Sequence, residues 1–281
     1  MSFLLREYIN ILIKIFITPI NFLEKYSVDK ISLFIRNAKN KLTGYDHYFS
    51  INKKNNLYYV NDKNHIHYFA NRRRGFDLYR YGLGFRANTL ANSYILESIK
   101  FESGDVVIDC GSNYADLWLF LKNFIKEENY ISFEPGSEEH SSISLNVING
   151  KNYNIGLGEE NKENQFYINH SDADSSFIEP SEFSEIVNCK TIKLDTFIEE
   201  NNISSIKLLK LEAEGFEPEI LKGSKKALKI IEYIAIDGGK ERGVNQEETF
   251  TFQSNFLYEN GFTLIGVNFQ WSRALFKKKE N

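Results

Sequence analysis

The chain has 281 residues, 42% of them hydrophobic and 15% aromatic, which predicts one large domain, or one domain with an appendage, built on an ordinary core. Its formal net charge of −4 gives no broad cationic surface, so nucleic acid is not an expected partner. With only two cysteines a disulfide framework is excluded, and we expect a cytoplasmic location.

The first 25 residues form the most apolar opening stretch of the chain. Lys14 interrupts this stretch and Pro19 breaks a helix near its end, so it is too short and too polar to span a membrane. No small-residue cleavage site follows, which argues against a signal peptide. We favour a helix packed on the protein or across a homo-oligomer interface. The alternative is a peripheral helix on the inner membrane, where glycolipids are assembled.

The next part of the chain combines a helical pattern with a β-hairpin. Apolar residues recur at helical spacing from Ser27 until Gly44, and residues 57–70 alternate around an Asn-Asp-Lys-Asn turn. We therefore assign residues 1–80 to an N-terminal helical and β-hairpin extension. Its expected role is oligomerisation, a lid over the site or a membrane contact.

Two groups of residues in this extension bear on ligand binding. His65 and His67 share one face of the hairpin, but the sequence places no third ligand nearby, so we predict no metal site there. The arginines at 72–74 form a dense cationic patch. They are read as solvated surface or, alternatively, as a clamp for the phosphate of a nucleotide-sugar or lipid substrate.

The middle of the chain reads as a strand, a tight turn, a helix and a second strand. Val106 to Cys110 form the first strand, which turns at Gly111, and the second strand ends at Glu134. This arrangement is the nucleotide-binding half of a doubly wound sheet, whose ligands lie beyond the carboxyl ends of the strands. The residues that we expect to bind a cofactor there are Asp109, Gly111, Ser112, Asn113, Glu134 and Pro135.

The composition of the turn indicates which cofactor to expect. A dinucleotide site needs a G-x-G-x-x-G run, whose backbone amides close on a pyrophosphate. The turn from Gly111 to Ala115 has a single glycine and therefore no phosphate cradle. Glu134 can accept hydrogen bonds from both hydroxyls of a ribose, as the acidic residue does in NAD sites. Adenosine without a diphosphate indicates S-adenosylmethionine.

Two further strands carry acidic residues at their carboxyl ends. Ile206 to Leu211 read as a buried strand followed by Glu212, and the next core strand ends at Asp237. Methyl transfer to a hydroxyl needs a base or a metal, so we favour Glu212 or Asp237 as the base, with a divalent metal on the same acids as the alternative. The candidate catalytic residues are Glu212, Asp237, Glu241 and Lys210, with His170 in a polar loop as an outlier.

The end of the chain predicts a hairpin. The runs FTLIGVN and RALFKKK alternate around a short connection as an antiparallel pair. Parallel strands finished by such a hairpin are typical of class I methyltransferases. We therefore predict an α/β fold with a Rossmann-like, mostly parallel sheet closed by an antiparallel hairpin, and we assign the methyltransferase domain to residues 81–281.

With these motifs the chain resembles the FkbM family of S-adenosylmethionine-dependent methyltransferases, over roughly residues 80–270. The resemblance rests on GDVVIDCGSN, FEP, TIKLDTFIEENNISSIKLLKLEAEG and EILKGSKKAL, in this order and spacing. Members are mostly O-methyltransferases that act on hydroxyls of sugars, polyketides or glycopeptides. YGLGFR and Asp237–Gly243 are similar to a branch found among bacterial surface-polysaccharide genes. The resemblance implies a sugar O-methyltransferase of capsule or lipopolysaccharide assembly, with a glycan or nucleotide-sugar substrate.

Two positions depart from the family pattern. The family turn usually carries Asn-x-Gly where this chain has Ala115 after Tyr114, and the family strand usually carries Asp where this chain has Glu212. The extra methyl group and bulk alter the cofactor pocket, and a carboxylate longer by on the order of 1 Å shifts a base. Two alternatives follow: a non-catalytic scaffold with an impaired cofactor site, and a nicotinamide-dependent oxidoreductase, which the missing glycines disfavour.

Overall fold

The computed structural model describes residues 18–170 and 175–279. The chain divides into two compact units, with the division between Leu83 and Gly84. Most of the apolar stretch predicted as a packed or peripheral helix, residues 1–17, lies outside the described residues, as does part of the polar loop after His170. In the described part of the chain no helix is long and apolar enough to cross a membrane.

The first unit contains helices α1 to α3 and a three-stranded antiparallel sheet. Its elements are α1 (Thr18–Tyr26), α2 (Asp29–Leu42), β1 (Tyr48–Asn52), β2 (Leu57–Asp62), β3 (His65–Phe69) and α3 (Arg72–Leu78). Strands β2 and β3 form the predicted hairpin, and β1, which the sequence patterns did not indicate, pairs with the other edge of β2. Buried aromatic rings fill this unit, and Gly75 allows the ring of Phe69 to approach, because a Cβ there would lie 2.1 Å from it.

Two of the three arginines at the start of α3 contact backbone carbonyl groups of the same unit. Arg72 donates to the Asp29 carboxylate at 2.7 Å and to the Ser27 carbonyl at 3.0 Å. Arg73 donates to the carbonyl of Lys25 at 3.2 Å. The contacts of Arg72 and Arg73 are thus local, and the phosphate clamp stays a prediction.

His67 is buried, with its ring against Tyr79 at a centroid distance of 5.2 Å.

The second unit is built on a seven-stranded sheet. Its helices are α4 (Leu83–Ser93), which spans the division between the units, α5 (Trp118–Leu121), α6 (Ser137–Asn146), α7 (Leu194–Glu200), α8 (Glu217–Lys222) and α9 (Phe250–Glu259). Its strands are β4 (Val107–Cys110), β5 (Tyr130–Phe133), β6 (Lys151–Tyr153), β7 (Gly156–Leu157), β8 (Lys162–Ile168), β9 (Glu185–Ile192), β10 (Ile206–Leu211), β11 (Ile231–Asp237), β12 (Lys240–Arg242), β13 (Glu247–Glu248), β14 (Phe262–Asn268) and β15 (Arg273–Lys278).

The order of strands in the large sheet is β6-β5-β4-β10-β11-β15-β14. Strands β4, β5, β6, β10 and β11 are parallel, whereas β15 runs antiparallel between β11 and β14. This is a Rossmann-like, mostly parallel sheet closed by an antiparallel hairpin, and the predicted α/β fold is confirmed. The chain leaves β4 toward one edge through β5 and later returns to β10 on the other side. The topological switch point, where such sheets bind ligands, therefore lies between β4 and β10.

The central strands are apolar because both of their faces are covered. Every residue of β4 and β5 is buried, and β10 and β11 each have one partly exposed residue. Two hydrophobic clusters include residues of these strands, one with Leu209 and Ile234 and the other with Leu208 and Tyr233. Strands β7, β9 and β8 form a separate small sheet.

Candidate active site

The turn after β4 rests against the end of β10. Gly111 has φ +70°, and a Cβ there would lie 1.6 Å from the carbonyl oxygen of Glu212, so only glycine fits. The amides of Gly111 and Ser112 both donate to the carbonyl of Phe133, at 3.0 and 3.2 Å. Three neighbouring strands are thereby joined at the switch point, and the turn is held against the end of β5.

The carboxylate of Glu134 lies beside this turn, as the sequence predicted. It accepts from the amide of Asn113 at 2.8 Å and from the amide of Gly136 at 2.9 Å. Burial and the nearby charge of Glu139 raise the pKa of Glu134 to about 8, although both amides act in the opposite direction. The side-chain oxygen of Asn113 is buried without a hydrogen-bond partner. Gly111, Asn113 and Pro135 remain half-buried, so a ligand can reach this edge.

The two unusual residues of the turn point into the protein. Tyr114 and Ala115 have no exposed surface, and Ala115 belongs to the cluster that packs beneath β4. Ala115 has φ +61°, a left-handed conformation that side chains with a Cβ rarely adopt. Alanine therefore stands where the family turn usually has glycine, and the backbone there keeps the left-handed conformation that glycine adopts freely.

Five buried or half-buried charges alternate in sign across the strand ends. Lys210 lies 3.0 Å from the Asp109 carboxylate and 2.9 Å from that of Glu212. Arg273 pairs with Glu212 and, at 2.7 Å, with Asp237. The chain of pairs thus runs from β4 through β10 to β11 and β15.

Within this chain of ion pairs, neighbouring charges shift one another's pKa values. Burial acts to raise the pKa of Glu212, but the cations Lys210 and Arg273 outweigh burial and hold it well below its usual range. Burial and the charge of Glu212 raise the pKa of Asp237, against the effect of Arg273. For Lys210 the carboxylates of Asp109 and Glu212 outweigh burial, so its pKa lies above its usual value. Glu212 is therefore a poor proton acceptor, because its ionised form is strongly stabilised.

Arg273 is the site residue that the sequence patterns did not reveal. Its guanidinium also donates to the Ser93 hydroxyl at 2.7 Å and lies 4.3 Å from the centroid of the Tyr94 ring. In the antiparallel pairing of β11 with β15, Arg273 is directly opposite Asp237. The predicted hairpin already contained Arg273. Which acidic residue Arg273 pairs with, however, depends on which strand of the sheet the hairpin joins.

A polar cavity of about 330 Å³ adjoins these strand ends. It lies among the segment after β8, the turn after β10 and the loop that contains β12. Glu182, Glu214, Lys240 and Glu241 supply charged groups, with hydroxyl and amide side chains between them. Partial burial of its carboxyl group and the charges of Asp237 and other acids raise the pKa of Glu241 to about 8.

Hydrogen bonds of Arg242 and Ser176 fix the walls of this cavity. Gly215 has φ +90°, and a Cβ there would lie 2.5 Å from the Cα of Arg242. Arg242 donates to the carbonyl of Gly215 at 2.6 Å and to both carboxylate oxygens of Glu219 at 2.9 Å. The Ser176 hydroxyl donates to the carbonyl of Glu214 at 2.8 Å. The other two walls are therefore tied to the turn after β10.

The predicted site residues separate into three groups. Glu134, Asn113, Gly111 and Pro135 border the edge where a cofactor would bind, and Glu134, Ser112 and Asp109 are buried. Asp109, Lys210, Glu212 and Asp237 belong to the chain of ion pairs. Glu241 lines the polar cavity. His170 is exposed and lies 3.3 Å from Glu185, outside all three groups. Within residues 18–170 and 175–279, no three His, Cys, Asp or Glu side chains are arranged to hold a metal ion.

A family model for the methyltransferase FkbM domain matches residues 109–264, more than half of the chain. The chain belongs to the FkbM methyltransferase family. The match includes Asp109, Glu134, Glu212 and Asp237, and extends into β14. A search of curated proteins finds no significant match.

Solved methyltransferase structures also resemble the chain. An FkbM methyltransferase from Methylobacillus flagellatus is 15% identical, with 64% of this chain and 45% of that chain covered and a TM-score of 0.42. An rRNA methylase from Streptococcus thermophilus is 15% identical, with coverages of 69% and 98% and a TM-score of 0.39. A SAM-dependent methyltransferase from Aquifex aeolicus is 11% identical, with coverages of 69% and 93% and a TM-score of 0.37. The chain thus spans less than half the length of the Methylobacillus protein.

Proposed function

We propose that this FkbM methyltransferase transfers the methyl group of S-adenosylmethionine to a sugar hydroxyl during assembly of a bacterial surface glycan. The observation that carries the proposal is the polar cavity beside the strand ends. Apart from Pro180 and Gly243, its described lining consists of charged, hydroxyl and amide side chains. Such groups match the hydroxyls of a glycan or nucleotide-sugar better than an apolar acceptor.

The residues at the end of β5 fit the cofactor. A carboxylate has about four lone-pair positions, and Glu134 uses two of them for backbone amides, so two remain for the ribose hydroxyls. The unpartnered oxygen of Asn113 can accept from a further donor of the ligand. When bound, the cofactor supplies an electrophilic methyl group on a sulfonium. The turn from Gly111 to Asn113 holds the ligand in place, and positioning of this kind contributes much of the rate.

Glu241 is the residue we assign as the general base. It lines the cavity, and its carboxyl group lies near that of Asp237. A Cβ added at Gly239 would lie 2.8 Å from a carboxylate oxygen of Glu241 and 3.3 Å from one of Asp237. A base with a pKa of about 8 suits a proton acceptor near neutral pH. A carboxylate oxygen of Glu241 accepts the proton of the acceptor hydroxyl. The bound cofactor would supply the methyl group to the hydroxyl oxygen and would leave as S-adenosylhomocysteine, with the electron pair of the broken carbon–sulfur bond on sulfur. Glu212 and Asp237, paired with Arg273, hold the strand ends in position.

The test is methyl transfer to a panel of free and nucleotide-linked sugars, followed as S-adenosylhomocysteine formation and as the mass gain of the acceptor. Glu241 acts in its ionised form, so kcat/KM should fall about tenfold per pH unit below about pH 8. Glu241→Gln should lower kcat by about 10²-fold or more and abolish this pH dependence.

Glu182→Gln is the matched control, because Glu182 is another exposed carboxylate on the cavity wall. It should keep the pH profile of the natural protein. Turnover with an unchanged pH profile in Glu241→Gln would refute the assignment of the base. Failure of every sugar acceptor, with methylation of a non-sugar compound, would refute the substrate class.

A second candidate, a non-catalytic scaffold, is favoured by the turn itself. Ala115 is in a left-handed conformation, and both oxygens of Glu134 are engaged by amides. Calorimetric titration with S-adenosylhomocysteine separates the two functions, since a scaffold with a closed site would release no heat of binding. Titration with NAD in parallel tests the oxidoreductase, for which the single glycine of the turn gives no support.

A further inference from the structure

A second cavity lies in the first unit, far larger than the polar cavity of the methyltransferase unit. Its volume is about 730 Å³. It lies among α1, α2 and α3, and the residues that follow α2 and α3 also line it. Ligand sites commonly measure about 300–1,000 Å³. Apolar side chains, including Ile20, Leu42 and Phe76, form part of its wall. The chemistry assigned to the second unit makes no use of this cavity.

The wall of this cavity carries an excess of positive charge. Two lysines and three arginines face two carboxylates, which leaves a formal charge of +3 in a chain whose net charge is −4. The buried carboxylate of Glu24 pairs with both Arg36 and Lys39. One anion is thus shared between two cations, and the wall retains positive charge even where ion pairs form.

The remaining cations are weakly compensated. Arg73 donates to the carbonyl of Lys25 at 3.2 Å and lies 5.2 Å from the centroid of the Tyr26 ring. In the described ranges, 18–170 and 175–279, no ion pair joins Arg73 or Lys25 to a carboxylate. Arg80 pairs with the exposed Asp77 at 3.4 Å, a surface contact of small energy. These three cations can therefore bind an anion without first breaking a strong ion pair.

The helices that form the cavity also expose large apolar side chains. Leu42, on the cavity wall, is 86% exposed, and Phe34 on the same helix is 74% exposed. On α1, Phe22 and Leu23 are more than half exposed. Apolar side chains concentrated on one pair of helices mark an interaction surface, whereas isolated ones do not. Exposed apolar residues beside weakly compensated arginines are the pattern of surfaces that bind anionic membranes.

We propose that the cavity binds the phosphate head group of an anionic lipid, while the exposed apolar residues of α1 and α2 enter the lipid layer. Guanidinium groups hold phosphate oxygens through paired N–H donors, which suits Arg73 and Arg80 to the head group. The apolar residues of the cavity wall distinguish a lipid from free phosphate, which has nothing to place against Leu42 or Ile20. This site is independent of methyl transfer.

The test is flotation of the full chain with vesicles of phosphatidylcholine alone or with phosphatidylglycerol added. Binding should require phosphatidylglycerol and weaken as salt rises. The double variant Arg73→Gln/Arg80→Gln should bind on the order of tenfold more weakly, since each basic residue near an anionic surface contributes measurably. Both side chains are exposed, so the melting temperature should not change. Leu42→Ser should also weaken flotation.

Lys30→Gln is the matched control, because Lys30 is an exposed cation on α2 outside the cavity wall. An equal loss per charge removed in Lys30→Gln and in the arginine variant would overturn the site in favour of diffuse surface charge. Flotation blocked by millimolar inorganic phosphate and insensitive to Leu42→Ser would overturn the lipid as ligand. A loss of self-association in Leu42→Ser, without any flotation of the natural protein, would assign the surface to a second copy.

Discussion

Ala115 stores backbone strain at the turn beside the cofactor edge. Its φ of +61° is one that glycine adopts freely and that costs residues with a Cβ about 1–2 kcal/mol. Its side chain is fully buried in the cluster beneath β4. The loss of one buried methyl group costs about 0.8 kcal/mol, so strain and burial act against each other at this position.

Ala115→Gly should therefore leave the free energy of unfolding unchanged or raise it by up to about 1 kcal/mol. Ala91→Gly is the control: Ala91 is equally buried, but it lies within α4, where glycine loses both packing and helix propensity. We expect that variant to lose about 1–2 kcal/mol. Urea unfolding of both variants measures the difference, and equal destabilisation would show that Ala115 is unstrained.

Residue identity alone did not reveal the chain of ion pairs. Glu212 and Asp237 were predicted from local signals, because each follows a run of buried strand residues. Arg273 carries no such signal, since an arginine in the last hairpin is usually a solvated surface residue. Its role depends on β15 lying next to β11, a pairing of distant segments. The acids of the site were thus predictable from the sequence, whereas the cation that joins them was not.

The loops after β10 and β11 pack backbone against backbone. Gly215 and Arg242 meet so closely that a Cβ at Gly215 would lie 2.5 Å from the Cα and 2.9 Å from the amide nitrogen of Arg242. Neither atom belongs to a flexible side chain that can move aside. The two loops also border the polar cavity, so their separation determines its width.

Gly215→Ala should destabilise the protein by about 2 kcal/mol or more, because the φ of +90° is unfavourable for alanine and the added methyl group meets backbone atoms. Gly84→Ala provides the control, since nothing lies within 4 Å of a Cβ at Gly84 in α4. There alanine should stabilise by about 0.5–1 kcal/mol. Thermal unfolding followed by circular dichroism tests both, and a neutral Gly215→Ala would mean that the loops separate at little cost.

Strongly patterned elements were predictable and weakly patterned ones were not. The buried strands of the central sheet and the closing hairpin follow from apolar runs and from alternation. Strand β1, with the sequence YFSIN, has one buried residue, Phe49. A single buried residue is too few to show the two-residue alternation of a strand. Strands β8 and β9 form a separate sheet with β7, which depends on pairing that local patterns do not contain.

Each of the two units has a hydrophobic interior of its own. In the first, Phe49, Val60 and Phe69 have 1% or less of their surface exposed. In the second, the apolar clusters on the central sheet extend from Leu90 to Phe276 and contain no residue before α4. A segment with its own core can fold alone, and a boundary near residue 81 keeps both clusters of the central sheet in one fragment.

A fragment that begins at Tyr81 should therefore fold and bind S-adenosylhomocysteine with the affinity of the full chain. Every residue that we assign to the cofactor edge and to the chain of ion pairs lies in this fragment, whereas every residue of the large cationic cavity lies at or before Tyr81. The same fragment should lose flotation with phosphatidylglycerol vesicles. Calorimetry and flotation on one preparation measure both properties. A folded fragment that no longer binds the adenosyl ligand would show that the first unit completes the cofactor site, and a fragment that still floats would place the membrane contact in the second unit.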